Sequence, residues 1–306
     1  MKNKKLQFVI MVLIDIVLIA TYVFGFYFVK YRMPRKLVSA NIKVEKNRPS
    51  KLGTIIDMSN VKATDKELTY ESSNIGIKIY KKSEIINKRN VAYQVADIYI
   101  TNIESLKRVF AKDTYGIGYV DDVYKIAKGA DAILAINGDY YSYNDDGLVI
   151  ANGTIYRDSF SDEEICVIYY DGTMEIYKPG EITIQDLKED GAYQAWSFGP
   201  SLMENNKART EFKDHAYMNG YNPRAAIGYY SPGHYAFITV DGRNPKISEG
   251  ITLNELAKIC EDLGLKKAYN LDGGDSAYMY FKGKAVNNPA HGGRDLSDIV
   301  CIQEVK

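Results

Sequence analysis

The stretch Asn270-Leu271-Asp272-Gly273-Gly274-Asp275-Ser276 follows a short apolar run and precedes the strand-like Tyr278-Met279-Tyr280-Phe281. Two carboxylates, a hydroxyl and paired glycines fall in one turn. Glycine lets the backbone take positive φ and lets its N–H groups approach a ligand closely, while Asp and Ser add charge and hydrogen bonds at the same place. These residues leave two readings open: a functional site at a strand end, or a hairpin turn between paired strands, for which Asp-Gly-Gly-Asp-Ser is equally good chemistry.

Upstream lies the clearest helix, about Leu253 to Leu263. Thr252 caps it with Glu255 three residues on, and Leu253, Leu256, Ala257, Cys260 and Leu263 form one apolar face that Gly264 ends. Two hairpins read clearly: Ile165–Tyr170 and Met174–Tyr177 flank Asp171-Gly172-Thr173, and Ala225–Tyr230 and Tyr235–Val240 flank Ser231-Pro232-Gly233-His234. Ile75, Ile77 and Ile79 alternate as in a strand, and Val91–Ile100 reads as a second. Ser105–Lys112 and Asp121–Gly129 carry helical apolar spacing, and Ala132–Ile136 reads as a buried strand. The expected class is α+β, with mixed β-sheets, several hairpins and about three or four helices.

Lys+Arg and Asp+Glu each number 39 in the 306-residue chain, so the net charge is zero and bulk electrostatics give no case for nucleic acid as a partner. Cys166, Cys260 and Cys301 are odd in number and far apart, which gives neither a disulfide framework nor a zinc spacing. A short tail, residues 1–5, precedes the apolar run Leu6 to Val29, which is long enough to cross a hydrocarbon core. Asp15 interrupts it at a cost of a few kcal/mol in a bilayer and hints at a partner helix. The bulky Phe24-Gly25-Phe26-Tyr27-Phe28 favours an uncleaved transmembrane signal anchor over a cleaved signal peptide. Residues 30–74 are polar and without apolar period, as in a stalk, and the folded domain is expected over 75–306.

Five polar clusters end apolar strand-like runs: Asn137-Gly138-Asp139-Tyr140-Tyr141, Asn222-Pro223-Arg224, Asp241-Gly242-Arg243, the Asn270–Ser276 stretch, and His291-Gly292-Gly293-Arg294-Asp295 leading to Ser297-Asp298. Arg224, Arg243 and Arg294 are forked donors suited to phosphate; Asp139, Asp241, Asp272 and Asp275 are candidate acids, bases, nucleophiles or ligands. Together they suggest a charged, oxygen-rich substrate.

These motifs, with Asn222-Pro223-Arg224-Ala225-Ala226-Ile227-Gly228 and the Thr252-Leu253–Glu255-Leu256-Ala257 helix, resemble the phosphodiester glycosidase family, which includes the lysosomal uncovering enzyme and bacterial members linked to exopolysaccharide production. The resemblance runs from about Val91 to the C-terminus. Asp275 and Ala277 depart from the family's usual Gly-Gly-Gly-Ser-Ser or Thr, and Asp139 stands where many members have Gly.

The resemblance implies a hydrolase that cleaves a sugar-1-phosphodiester in a glycan or cell-surface polysaccharide; with the apolar anchor, and because such polymers lie outside the membrane, the domain is expected to be membrane-anchored and extracellular. The leaving phosphate is a good leaving group, so a carboxylate at the anomeric centre and donors for the phosphate matter more than a strong general acid. The expected catalytic carboxylates are Asp272, with Asp241 as partner, and Asp139. Expected substrate and phosphate binders are Arg224, Arg294, Ser276, Gly273, Gly274, Asn137 and Arg243. No cofactor is expected, although Asp272 and Asp275 are the pair on which Ca²⁺ or Mg²⁺ would sit. Tyr140 and Tyr141 are wall or core residues. Two rivals are a serine esterase built on Gly274-Asp275-Ser276 with His291 as base, and a non-catalytic module that binds phosphoglycans or scaffolds exopolysaccharide assembly through the same pocket.

Overall fold

The computed structural model describes residues 2–56, 58, 68–212 and 220–305. Among them, three antiparallel sheets carry the domain. The first runs, in spatial order, Lys267–Leu271, Arg224–Ser231, His234–Val240, Arg89–Ile100, Ile75–Ile86 and Thr69–Glu71. The second has Leu106–Phe110, Asp298–Ile302, Leu134–Asn137, Met279–Phe281 and Lys284–Ala285; the third is built mainly from Val149–Ala151, Thr154–Arg157, Ile165–Tyr169, Met174–Tyr177 and Ala192–Trp196. Four helices accompany them: α1 (Lys2–Tyr31), α2 (Val123–Gly129), α3 (Ile184–Glu189) and α4 (Leu253–Asp262). The class is α+β, as the sequence pattern implies.

Two-residue periodicity sorts the first sheet onto two cores. Ala96, Ile98 and Ile100 face a core shared with the other sheets, whereas Val91, Tyr93 and Val95 face α4. Helix α4 forms as its sequence predicts, with a reciprocal capping box between Thr252 and Glu255, and buries Leu253, Leu256, Ala257 and Cys260. Helix α2 covers the outer face of the second sheet through Val123, Ile126 and Ala127. Both expected hairpins are present, and the three cysteines are buried and free.

Two expectations fail. The segment Ser105–Lys112, expected as helix, contains the strand Leu106–Phe110, which pairs with Asp298–Ile302. Its Leu106, Arg108 and Phe110 point inward in strict alternation, so sheet pairing overrides a helical spacing too short to stand alone. The lead-in 30–74 is also no detached stalk. Part of it, residues 57 and 59–67, lies outside the described residues, but Arg35–Lys36 pair with Gly116–Ile117, and Ile42–Lys43 pair with Ile155 and Thr154. Val44 joins the shared core, and Thr69–Glu71 adds an edge strand to the first sheet. Pairings of two or three residues leave no apolar period to read.

Helix α1 is long and apolar enough over Leu6–Lys30 to cross a membrane, and the domain buries none of that window.

Removing the cap in Thr252→Ala should lower stability by about 1 kcal/mol. Leu256→Ala, which empties a fully buried site, should cost about 2–5 kcal/mol. Denaturant midpoints at unchanged slope check both, and equal losses would contradict the burial pattern of α4.

Candidate active site

The Asn270–Ser276 stretch is not a hairpin. Lys267–Leu271 pairs within the first sheet and Met279–Phe281 within the second, so the turn crosses from one sheet to the other. Its glycines are needed there: Gly274 has φ of 61°, and a Cβ on Gly273 would lie 2.6 Å from the Pro223 carbonyl oxygen. The Gly274 N–H donates to that same carbonyl at 2.9 Å. The Asn137 amide clips the turn to the second sheet, donating to the Asp272 carbonyl at 2.6 Å and accepting from the Tyr278 N–H at 3.3 Å.

Asp272 leaves the end of its strand into a cleft of about 840 Å³, lined among others by Tyr140, Glu163, Phe198, Arg224, Arg243 and Arg294. Its Oδ2 accepts from the Ser276 hydroxyl at 2.6 Å and from Arg294. Burial pushes its carboxyl above the usual range, against the opposing pull of Arg294 and Ser276. Arg294 also donates to Ser276 and lies over the Tyr140 ring, its guanidinium carbon 5.4 Å from the centroid. Burial draws the Arg294 guanidinium down, but the Asp272 carboxylate outweighs it and holds the proton more tightly than usual.

Arg224 is buried at the first position of its strand, donating to the Ile251 carbonyl at 3.1 Å and the Gly220 carbonyl at 2.9 Å. Burial lowers it to about 10, which leaves it cationic at neutral pH. Arg243 donates to Asp275 Oδ1 at 2.6 Å and to Asn222 Oδ1 at 3.3 Å. His291 Nδ1 lies 3.0 Å from the same Asp275 oxygen. Asp275 therefore joins Arg243 to His291.

The sequence-derived residues divide. Asp272, Gly273, Gly274, Arg224, Arg243 and Arg294 share the cleft, and Tyr140 lines its wall. Tyr141 is core, stacked on Tyr115 at 5.2 Å. Asn137, Asp139, Asp241 and Ser276 are not among the lining residues. Asn137 is fully buried and serves backbone partners. Asp241, expected as catalytic partner, is a buried hub that accepts from Gln94, Asn287 and Asn288 at 3.0 to 3.3 Å, all neutral donors. Ser276 orients Asp272 instead of facing a ligand, and His291 bonds to Asp275, so the Ser276–His291 dyad of an esterase is not formed. The Gly274 N–H is turned onto Pro223 and does not face the cleft as a phosphate donor. Asp272 and Asp275 hold different arginines and do not form a two-carboxylate cation cage; among the described residues no three His, Cys, Asp or Glu side chains gather for a metal.

Asp139 belongs to a buried ion cluster whose centre was missed. Arg108, fully enclosed, donates to Asp139 Oδ1 at 2.8 Å, to Asp298 Oδ2 at 2.6 Å and to the Ala195 carbonyl at 2.7 Å. Reading Leu106–Phe110 as a strand would have exposed it, because Arg108 then shares a face with Leu106 and Phe110. Glu163 and Phe198 were missed as well: they lie outside the Gly-rich clusters, Glu163 in an acidic loop that reads as solvated. Asn270, also in the lining, donates to the Gly199 carbonyl at 2.8 Å while its buried Oδ1 has no partner.

Residues 130–303 match the sequence profile of the phosphodiester glycosidase family. The chain belongs to this family. A curated relative, the SPbeta prophage-derived uncharacterized protein YomE of Bacillus subtilis (strain 168), is 34% identical over 185 residues. That alignment takes in 58% of this chain but only 29% of the relative. Among solved structures, the phosphodiester glycosidase fold here is similar to the zebrafish N-acetylglucosamine-1-phosphodiester alpha-N-acetylglucosaminidase (NAGPA) catalytic domain auto-inhibited by pro-peptide. The TM-score is 0.64 at 21% identity, covering 86% of this chain and 89% of that one. A hypothetical protein from Synechocystis has a TM-score of 0.56 at 13% identity, covering 75% and 62% of the two chains. Family membership supports a glycosidase-type hydrolase role.

In this member of the family, Arg108 faces two carboxylates. Burial pushes Asp298 up to about 7 despite Arg108, and its Oδ1 is buried without a partner. The folded carboxyl holds its proton to higher pH than the unfolded one, so the unfolded state binds fewer protons between roughly pH 4 and 7 and stability falls as pH rises through that window. Asp298→Asn should flatten the fall. Urea unfolding at pH 5 and pH 8 checks this, and an unchanged difference between the two pH values would sink the assignment.

Proposed function

We propose that the protein is a membrane-anchored hydrolase whose domain faces outward and cleaves the bond between a sugar's anomeric carbon and a phosphodiester in a glycan or cell-surface polysaccharide. The observation that carries this reading is the shared cleft: Asp272, Glu163, Arg224, Arg243 and Arg294 border one cavity with aromatic Tyr140 and Phe198. A glycosyl phosphodiester offers an apolar ring face, hydroxyls and an anion, and the cleft has a counterpart for each.

Asp272 sits at the anomeric centre, oriented by Ser276 and Arg294, where its charge stabilises the oxocarbenium-like transition state or attacks it. Glu163 replaces Asp241 as the second carboxylate, since Asp275, the remaining one in that lining, is taken up by Arg243 and His291. Arg224 and Arg243 hold the phosphate as its charge grows. Arg224 is well placed for this because burial strengthens its field and its backbone contacts fix its fork.

On a sugar-1-phosphodiester, Asp272→Asn should lower kcat by about 10³-fold or more with the fold intact by circular dichroism. Arg224→Lys should act mainly through KM, and Glu163→Gln through kcat. Near-normal turnover by Asp272→Asn would end this reading.

Protease shaving of intact cells should remove the domain and leave α1 behind. A domain that survives shaving yet is cut after lysis would place it on the other side of the membrane.

A further inference from the structure

The end of α1 is fastened to the mouth of the cleft. Lys30, at the last turn of the apolar span, pairs with Asp145 at 3.2 Å. Asp145 follows Asn144, a cleft residue. The loop carrying both is braced from below: Arg157 donates to the Tyr141 carbonyl at 3.1 Å and the Asn144 carbonyl at 2.6 Å, and to the Gly147 carbonyl. Only residues 32, 33 and 34 separate α1 from the strand Arg35–Lys36, a reach of at most ~14 Å.

Those residues lie against the domain. A Cβ on Gly118 would be 3.0 Å from the Arg32 carbonyl oxygen and 3.0 Å from the Pro34 nitrogen. Leu37 bonds to the Tyr115 carbonyl at 3.2 Å and packs on the Phe110, Tyr115 and Tyr141 cluster, next in sequence to Tyr140 of the cleft wall. Burial raises the Tyr140 phenol, and Arg294 pulls it back.

A helix whose apolar stretch ends at Lys30 brings that residue to the polar headgroup layer, which is only about 5–8 Å deep on each side of a bilayer. Asp145, paired to it, sits at the same depth, and Asn144 beside it.

We propose that the cleft acts on a glycosyl phosphodiester whose phosphate is esterified to a lipid in the leaflet that α1 ends in, with the sugar rising into the cleft and the lipid chain left in the bilayer. The proposal rests on the anchored hydrolase reading above and adds the aglycone. Water supplies the hydroxyl to the anomeric carbon, the carbon–oxygen bond to phosphate breaks, and the lipid phosphate monoester departs with the electron pair, taking a proton from the same water. The reaction needs no further co-reactant. Arg32, Arg35 and Lys36 place added positive charge at the level where such phosphates lie.

The test uses the full chain in phospholipid vesicles with N-acetylglucosamine-1-phosphate esterified either to methanol or to hexadecanol, in both anomers. The hexadecyl ester should show kcat/KM about 10-fold or more above the methyl ester. Inserting a flexible Gly-Ser segment of about 20 residues after Met33 should erase that preference and leave methyl ester turnover unchanged.

A second readout does not depend on turnover. Because the native cysteines are buried, a fluorophore on Asp145→Cys reports its depth. A headgroup-attached quencher should quench it strongly, Lys258→Cys on α4 much less, and the insertion should release Asp145→Cys. Equal turnover of the two esters, a preference that survives the insertion, or quenching at Asp145 no greater than at Lys258 would each overturn the proposal. If neither ester is turned over, the hydrolase reading and the substrate class fall together, and the quenching alone reports where the cleft lies.

Discussion

The chain crosses between sheets once within the site, from Leu271 to Met279, and the geometry of the cleft depends on that crossing. The two flanking strands belong to different sheets, so the turn cannot be held by strand pairing across its own ends. It is held instead by the Gly274 N–H on the Pro223 carbonyl and by the Asn137 amide bridging the Asp272 carbonyl and the Tyr278 N–H. Buried polar groups with both ends satisfied fix one arrangement, because any shift leaves a donor or acceptor unpaired at about 1–3 kcal/mol. Asp272 inherits its position from those bonds. Neither Asn137 nor Gly274 needs to touch substrate to matter for chemistry.

Four kinds of carboxylate environment follow from the same packing. Asp241 is solvated by neutral amides and an N–H, a buried charge spread over several weak donors. Asp139 and Asp298 share one enclosed guanidinium, so a single cation faces two acids and burial favours keeping a proton on one of them. Asp275, at the rim, bridges Arg243 and a largely exposed His291. Asp272 alone combines burial, one arginine partner and access to the cleft. That combination separates a group positioned for chemistry from groups that hold the fold, and residue type or neighbouring glycines cannot supply it.

The legible and illegible parts of the sequence divide by physical scale. Helix α4 and the hairpins at Asp171-Gly172-Thr173 and Ser231–His234 were readable because caps, turn residues and apolar period all act within a few residues. Arg224, Arg243, Asp272 and Arg294, which share the cleft, were readable as a group because forked cations and a carboxylate at Gly-rich strand ends carry their own signal. Leu106–Phe110 was misread because its pairing with Asp298–Ile302 spans most of the domain, and Arg108 was lost with it. Asp241 was placed in the site because Asp-Gly at a strand end looks the same whether its carboxylate points to a cleft or to Gln94 and Asn287. Glu163 carried no local mark; only the third sheet, folding back, brings its loop to the cleft.

The segment after α1 shows what short pairings do that composition does not announce. A free, flexible lead-in from 30 to 74 would let the domain wander roughly 35–40 Å from the end of the span. Pairing Arg35–Lys36 with Gly116–Ile117, seating Leu37 on the Tyr115 and Tyr141 rings and joining Lys30 to Asp145 removes that freedom at small energetic gain per contact. Exposed ion pairs contribute about 0–1 kcal/mol, and Lys30–Asp145 is no exception to expect more from. Its effect is geometric. A tether that fixes the cleft at one depth forfeits reach toward polymers far from the surface and raises the effective concentration of whatever lies in the headgroup layer. A chain selected to search a thick polysaccharide coat gains from a long flexible stalk; a chain that meets its substrate in the membrane gains from holding its cleft close to the bilayer, the arrangement proposed for the contacts of Lys30, Arg32 and Leu37.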